Sequence, residues 1–126
     1  MLPDHAVLTA DSLTQRYEKG ERNFEQSHLP NANLAGCVLH GVDLSESVMP
    51  HANLAKADLR GADLGWADLS RANLAGADLR GAVLSRADLS RADLRGANLY
   101  HADLSHAILD HAKLSGATLP DGQIAP

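Results

Sequence analysis

Histidine, serine, aspartate and one cysteine are the residues through which this chain could do chemistry. Seven histidines stand among 126 residues, and His101, His106 and His111 recur at intervals of five. Evenly spaced imidazoles suggest zinc, which needs ligands converging on one point. Ser45, Ser70, Ser85, Ser90, Ser105 and Ser115 also repeat, at positions where serine is ordinary, and they form no catalytic constellation with a base. The recurring glycines Gly36, Gly41, Gly61, Gly76, Gly81, Gly96 and Gly116 are followed by no helix, so they are not a phosphate-binding loop. Cys37 is the only cysteine, which excludes an internal disulfide. Its repeat position reads as inward and buried, a small apolar residue rather than a reactive thiol.

Whether the histidines converge depends on the element that carries them. From Leu54 to Leu119 leucine occupies every fifth position, and alanine stands two residues before each leucine. On an α-helix five residues advance by about 500°, leaving about 140° between successive leucines. On a straight strand alternate side chains face opposite ways. Neither element gathers the leucines on one surface. A chain that turns about a right angle every five residues does: each short extended segment points its central Leu inward, with Ala beside it near the corner. Successive histidines at this spacing then sit on successive corners, facing different directions, and cannot share one ion.

Four such turns make a coil of about twenty residues. Residues 53–72 and 73–92 match at that shift beyond Leu and Ala: Asn53 with Asn73, Asp58 with Asp78, Arg60 with Arg80, Gly61 with Gly81, Asp68 with Asp88, Arg71 with Arg91. Self-similarity at a fixed period marks a solenoid.

The repeat A(D/N)LXX resembles that of the pentapeptide repeat proteins, over about Phe24 to Ile124. The resemblance implies an all-β fold, a right-handed quadrilateral parallel β-helix, here of about five coils. Residues 1–22 read as a leader with a short N-terminal capping α-helix, and residues 23–126 as the repeat β-helix. Residues 1–8 read as loose. Residues 11–19 read as the helix, with Thr9 or Asp11 as N-cap and Gly20 as its end. The stretch Gln15–Phe24 is similar to the leader of some cyanobacterial members.

The first repeats are irregular. Inward partner positions fall on Arg22, Ser27, Ala32, Cys37, Val42 and Ser47, and Ser47-Val48-Met49-Pro50 predicts a wider, less regular second coil. Pro30 and Pro50, twenty apart, should occupy one corner, where a missing N–H does least harm. Leu119-Pro120-Asp121-Gly122 is a turn signal, after which Ile124 could fill one last central position.

Charge and composition narrow the function. Residues 31–119 hold about ten acids against about eight bases, near neutrality, with no basic excess for direct nucleic-acid binding. No stretch of eighteen apolar residues exists to span a membrane, and Met1–Ala10 is not a signal peptide, so the expected location is cytoplasmic. A convex rod has no concave pocket, so no enzyme activity, cofactor or metal is expected.

What remains is surface. Asn33, Asn53 and Asn73 stack, and Asn side chains at that spacing can bond one another. Stacked Asp58 and Asp78, Asp68 and Asp88, Asp43 and Asp63 need donors, from corner N–H groups or neighbouring Arg. His51, Arg71, Arg91 and His111 form a basic stripe suited to an acidic partner. Trp66 points outward between Glu46 and Arg86 and can stack on Arg86. These six, His51, Trp66, Arg71, Arg86, Arg91 and His111, are the candidate protein-contact surface.

The leading expectation is a non-enzymatic scaffold or interaction module with an unidentified protein partner, either a monomer or an end-to-end homodimer through residues 105–126. The alternative is duplex-DNA mimicry against a type II topoisomerase such as gyrase, which the resemblance brings in. Its known practitioners are longer and strongly acidic, and this chain departs on both counts. A model protein without a selected partner is a third reading.

Overall fold

The leucine period sets the architecture, and the backbone hydrogen bonds show how. The computed structural model describes residues 7–126, so residues 1–6 of the expected loose leader lie outside the described residues. Parallel bridges join each repeat to the one twenty residues on, as in Asn33 to Asn53 to Asn73 to Asp93 to Lys113. Four such columns run down the chain, one for each five-residue segment. The fold is a repeat β-helix solenoid.

Each segment is a bridge residue, a central apolar residue, and a turn. We label the sides by their central residues: side one runs from Phe24 to Leu104, side two from Leu29 to Leu109, side three from Leu34 to Leu114, side four from Leu39 to Leu119. The turn is closed by the alanine N–H of the next segment donating to the central carbonyl, as Ala57 does to Leu54 at 3.1 Å. Its second central residue is left-handed, with φ 59° at Lys56 and 65° at Gly61. That is a type II turn, which requires positive φ there and favours Gly.

The central residues are buried from Phe24 to Leu99 and their alanine partners from Ala52 to Ala102, whereas on the first rung Ala32 and Cys37, the latter expected to be buried, are only partly so. Leu104, Leu109 and Leu114 on the last rung are only partly buried. The expected irregular second coil is absent: Met49 is fully buried and its N–H donates to Asp68 at 2.8 Å, as elsewhere. Ser47 is tolerated inside because its hydroxyl accepts from the Ser27 N–H at 3.1 Å and donates to the Phe24 carbonyl at 3.3 Å.

The N-terminal end is covered by α1, Ala10–Glu18. Thr9 caps it, accepting from the Ser12 N–H at 3.0 Å. Gly20 at φ 100° ends it, with Gly20 N–H to Tyr17 carbonyl and Glu21 N–H to Arg16 carbonyl, a Schellman motif. Leu13 and Tyr17 join the core, and the Tyr17 hydroxyl donates to the His40 carbonyl at 2.6 Å. Two expectations change here. Val7 and Leu8 are not loose: Val7 bridges His28, and the Leu8 N–H donates to His28 at 2.9 Å. Arg22 does not enter the core; it is exposed, with its guanidinium 3.6 Å from the Tyr17 ring centre. A charged group has no partner inside an apolar coil, whereas the ring face attracts it.

At the C-terminal end the chain turns back. Thr118 and Ile124 form an antiparallel bridge, and the Ala125 N–H donates to the Ala117 carbonyl at 2.8 Å while its carbonyl accepts from the Gly116 N–H at 3.0 Å. Ile124 therefore does not fill a central position. It is 62% exposed, and Ala125 is the buried residue.

Candidate interaction surface

The bridge position explains the Asp and Asn preference. Each Asn or Asp there, from Asn23 to Asp103, accepts the backbone N–H two residues ahead through Oδ1, as Asn53 does from Ala55 at 3.1 Å and Asp63 from Gly65 at 3.0 Å. That N–H faces no neighbouring rung, so the side chain satisfies it in an Asx turn. The expected bonding between stacked Asn side chains is replaced by this local contact, because a short side chain reaches its own turn more readily. Where the bridge residue is His28, Val48 or Thr118, the N–H is absent instead: Pro30, Pro50 and Pro120 follow.

Arginine divides into two populations by repeat position. Arg60, Arg80 and Arg95 come just after the central leucine, on the same outward side as the bridge residue two before them. They fold back as forks onto Asp58, Asp78 and Asp93, with Nη2 to Oδ2 distances of 2.8, 2.6 and 2.7 Å. The hydrogen bond from Arg60 holds Asp58 down to about 2, and Arg80 and Arg95 lower Asp78 and Asp93 in the same direction. These charges are spent within the chain.

Arg71, Arg86 and Arg91 are different. They occupy the left-handed corner position, which projects away from their own bridge residue. Asp68 and Asp88 are taken by Ser70 and Ser90, whose hydroxyls donate at 2.7 and 2.5 Å, and Arg86 follows Val83. Among the described residues none of the three forms an ion pair. Arg86 lies over the Trp66 ring at 5.0 Å, and Trp66 is 63% exposed.

The corners themselves are unequal. The corner between sides one and two carries Gln26, Glu46, Trp66, Arg86 and His106. The next, between sides two and three, carries Asn31, His51, Arg71, Arg91 and His111. All have φ between 55° and 62°. At the other two corners the left-handed residue is glycine except at Lys56 and His101. A side chain with Cβ in this conformation costs about 1–2 kcal/mol relative to relaxed backbone. In the linear repeat the two non-glycine corners stand as separate stripes. They flank one side, so Trp66 and Arg71, and likewise Arg86 and Arg91, stand at opposite ends of side two with four residues between them. All six candidate residues thus border a single surface and are exposed. The distribution of glycine over the twenty-residue register carried that signal.

His101, His106 and His111 occupy three different corners. No group of three or more His, Cys, Asp or Glu among the described residues is placed to hold a metal ion, and no described helix is long and apolar enough to cross a membrane.

Comparison with known proteins agrees with the repeat. The model of pentapeptide repeats matches residues 23–54, 51–86 and 82–121, in eight copies. A pentapeptide repeat protein of known structure from Nostoc Pcc 7120 is 39% identical, over 86% of this chain and 78% of that one, with a TM-score of 0.47. HetL from Nostoc sp. strain PCC 7120, a pentapeptide repeat protein involved in heterocyst differentiation regulation, is 24% identical over 94% of this chain and all of that one, at a TM-score of 0.34. QnrB1, a plasmid-mediated fluoroquinolone resistance protein, is 21% identical over 82% of this chain and 68% of that one, at 0.42. No curated protein sequence matches.

Proposed function

Because this chain belongs to the pentapeptide repeat family, we propose that it is a non-enzymatic interaction module, a right-handed quadrilateral rod of about five coils that presents side two to an acidic protein partner. The observation that carries this reading is the absence of glycine from the two corners bordering that side. Strain that glycine would relieve persists there and is largely removed elsewhere, as at sites held for function. The side chains so placed include Trp66 and arginines that form no ion pair among the described residues, the types that dominate binding energy at protein interfaces.

DNA mimicry against a topoisomerase fits less well. On side four the Asp58 and Asp78 charges are neutralised by Arg60 and Arg80, so the stacked acids present no continuous negative column. The test is cross-linking and capture from native lysate with the wild-type chain and an R71S/R91S/W66G variant. A protein retained by the first and lost by the second supports the proposal. Equal retention by both, or none by either, overturns it.

A further inference from the structure

On side four, Val38 begins the column of bridges that continues through Asp58, Asp78, Asn98 and Thr118. Each inner member exchanges bonds with the rung before it, as Asp58 does by donating to Cys37 at 2.9 Å and accepting from Leu39 at 2.8 Å. Val38 has no such rung. Among the described residues its N–H has no acceptor and its carbonyl no donor. The chain closes the equivalent edge of side two itself, with Val7 added as a strand beside His28. On side four there is instead a groove of about 560 Å³ between α1 and the first rung, bordered by Tyr17, Glu18, Arg22, Cys37 and Val38. That volume is within the range of ligand sites.

We propose that this groove binds an extended peptide segment of another protein by strand addition to Val38. The main-chain groups of Val38 fix the class of ligand, since only an extended backbone offers a donor and an acceptor at strand spacing. The side chains fix its character. Val38 is 55% exposed, a β-branched apolar residue in a column otherwise of Asp, Asn and Thr. Exposed apolar edges of this kind are templates for a second chain, and the matching partner residue is apolar or β-branched. One Arg22 nitrogen donates to the Tyr17 and Glu21 carbonyls at 2.8 and 2.9 Å. Its remaining N–H groups have no acceptor among the described residues and suit a carboxylate of the peptide. The half-buried Cys37 borders the groove and reports on its occupancy.

The test is a phage-displayed peptide library selected on the full chain, with synthetic copies of the enriched peptides as probes. Enriched peptides should pair an acidic residue with β-branched ones. At saturation they should slow iodoacetamide alkylation of Cys37 and the hydrogen exchange of the Val38 amide by about tenfold or more. Val38→Pro removes a donor that has no partner among the described residues, together with the β-branched side chain, and should weaken binding about tenfold or more. R71S/R91S should bind as the wild type does, which separates this site from side two. No enrichment over an unrelated protein, enriched peptides that leave Cys37 and the Val38 amide unprotected, or a folded V38P that binds equally would each overturn the proposal. Should V38P fail to fold, the exchange of the wild-type Val38 amide decides.

Discussion

At the residue scale, Trp66 concentrates the tension between stability and surface. A bulky aromatic at φ 59° is an outlier, and 63% of it faces solvent. Trp66→Gly should therefore raise stability by about 1 kcal/mol, read as a higher urea midpoint, while reducing partner capture. A lowered midpoint would show that the corner is relaxed with tryptophan in it. Asp58 gives a second prediction. The Arg60 hydrogen bond lowers its folded-state pKa from the ordinary 3.8 to about 2. Folding is then favoured by the ionised form, a contribution fully present above pH about 4 and lost as pH falls toward 2. Asp78 and Asp93 act in the same direction. Urea midpoints of R60Q/R80Q/R95Q should consequently fall less steeply between pH 4 and pH 2 than those of the wild type; parallel curves would refute the assignment. The donors for these acids were legible as a need, since stacked carboxylates repel. The exact division of arginines was not, because it depends on which way a left-handed corner projects.

At the scale of the five-residue element, most backbone groups of the inner rungs have an assigned partner or a reason to lack one. Wherever the bridge residue is Asn or Asp its side chain accepts the N–H just after the central residue, and after His28, Val48 and Thr118 that N–H is replaced by proline. The Val83 segment has neither: Val83 offers no acceptor, and Ser85 keeps its N–H without one among the described residues. Ser85→Pro should stabilise by about 0.5–1 kcal/mol, whereas Ser70→Pro, which discards the bonds to Asp68 at 3.0 and 2.7 Å, should not. Thermal melts of the two variants make the comparison, and equal shifts would sink it. In the interior, Leu79→Ala should cost about 2–5 kcal/mol, measured by denaturant titration. The leucine and alanine periods showed this interior directly, and Thr9, Leu13, Tyr17 and Gly20 showed α1 to within a residue. The irregular composition around Ser47 misled, because a buried hydroxyl is acceptable once Ser27 and Phe24 engage it, and sequence does not display those contacts. Ile124 misled similarly: the reversal at Gly122 puts Ala125, not Ile124, against Ala117.

For the whole molecule, the sides differ in what they offer. Side four neutralises itself, side two keeps its cations, and the glycine corners leave little to hold. A DNA-supercoiling assay with gyrase should show no inhibition at micromolar protein, and inhibition there would restore the mimicry reading. The twenty-residue register has a consequence for how such a rod can change in length. Adding or removing one full set of four segments leaves each column aligned with itself. A single added segment, placed after Ala72 for instance, would carry everything downstream a quarter turn around the axis. Gly81 would then stack on Trp66, and Arg86 rather than Arg91 on Arg71, and side two would be cut in half. Viable length variants of this chain should thus come in quanta of twenty.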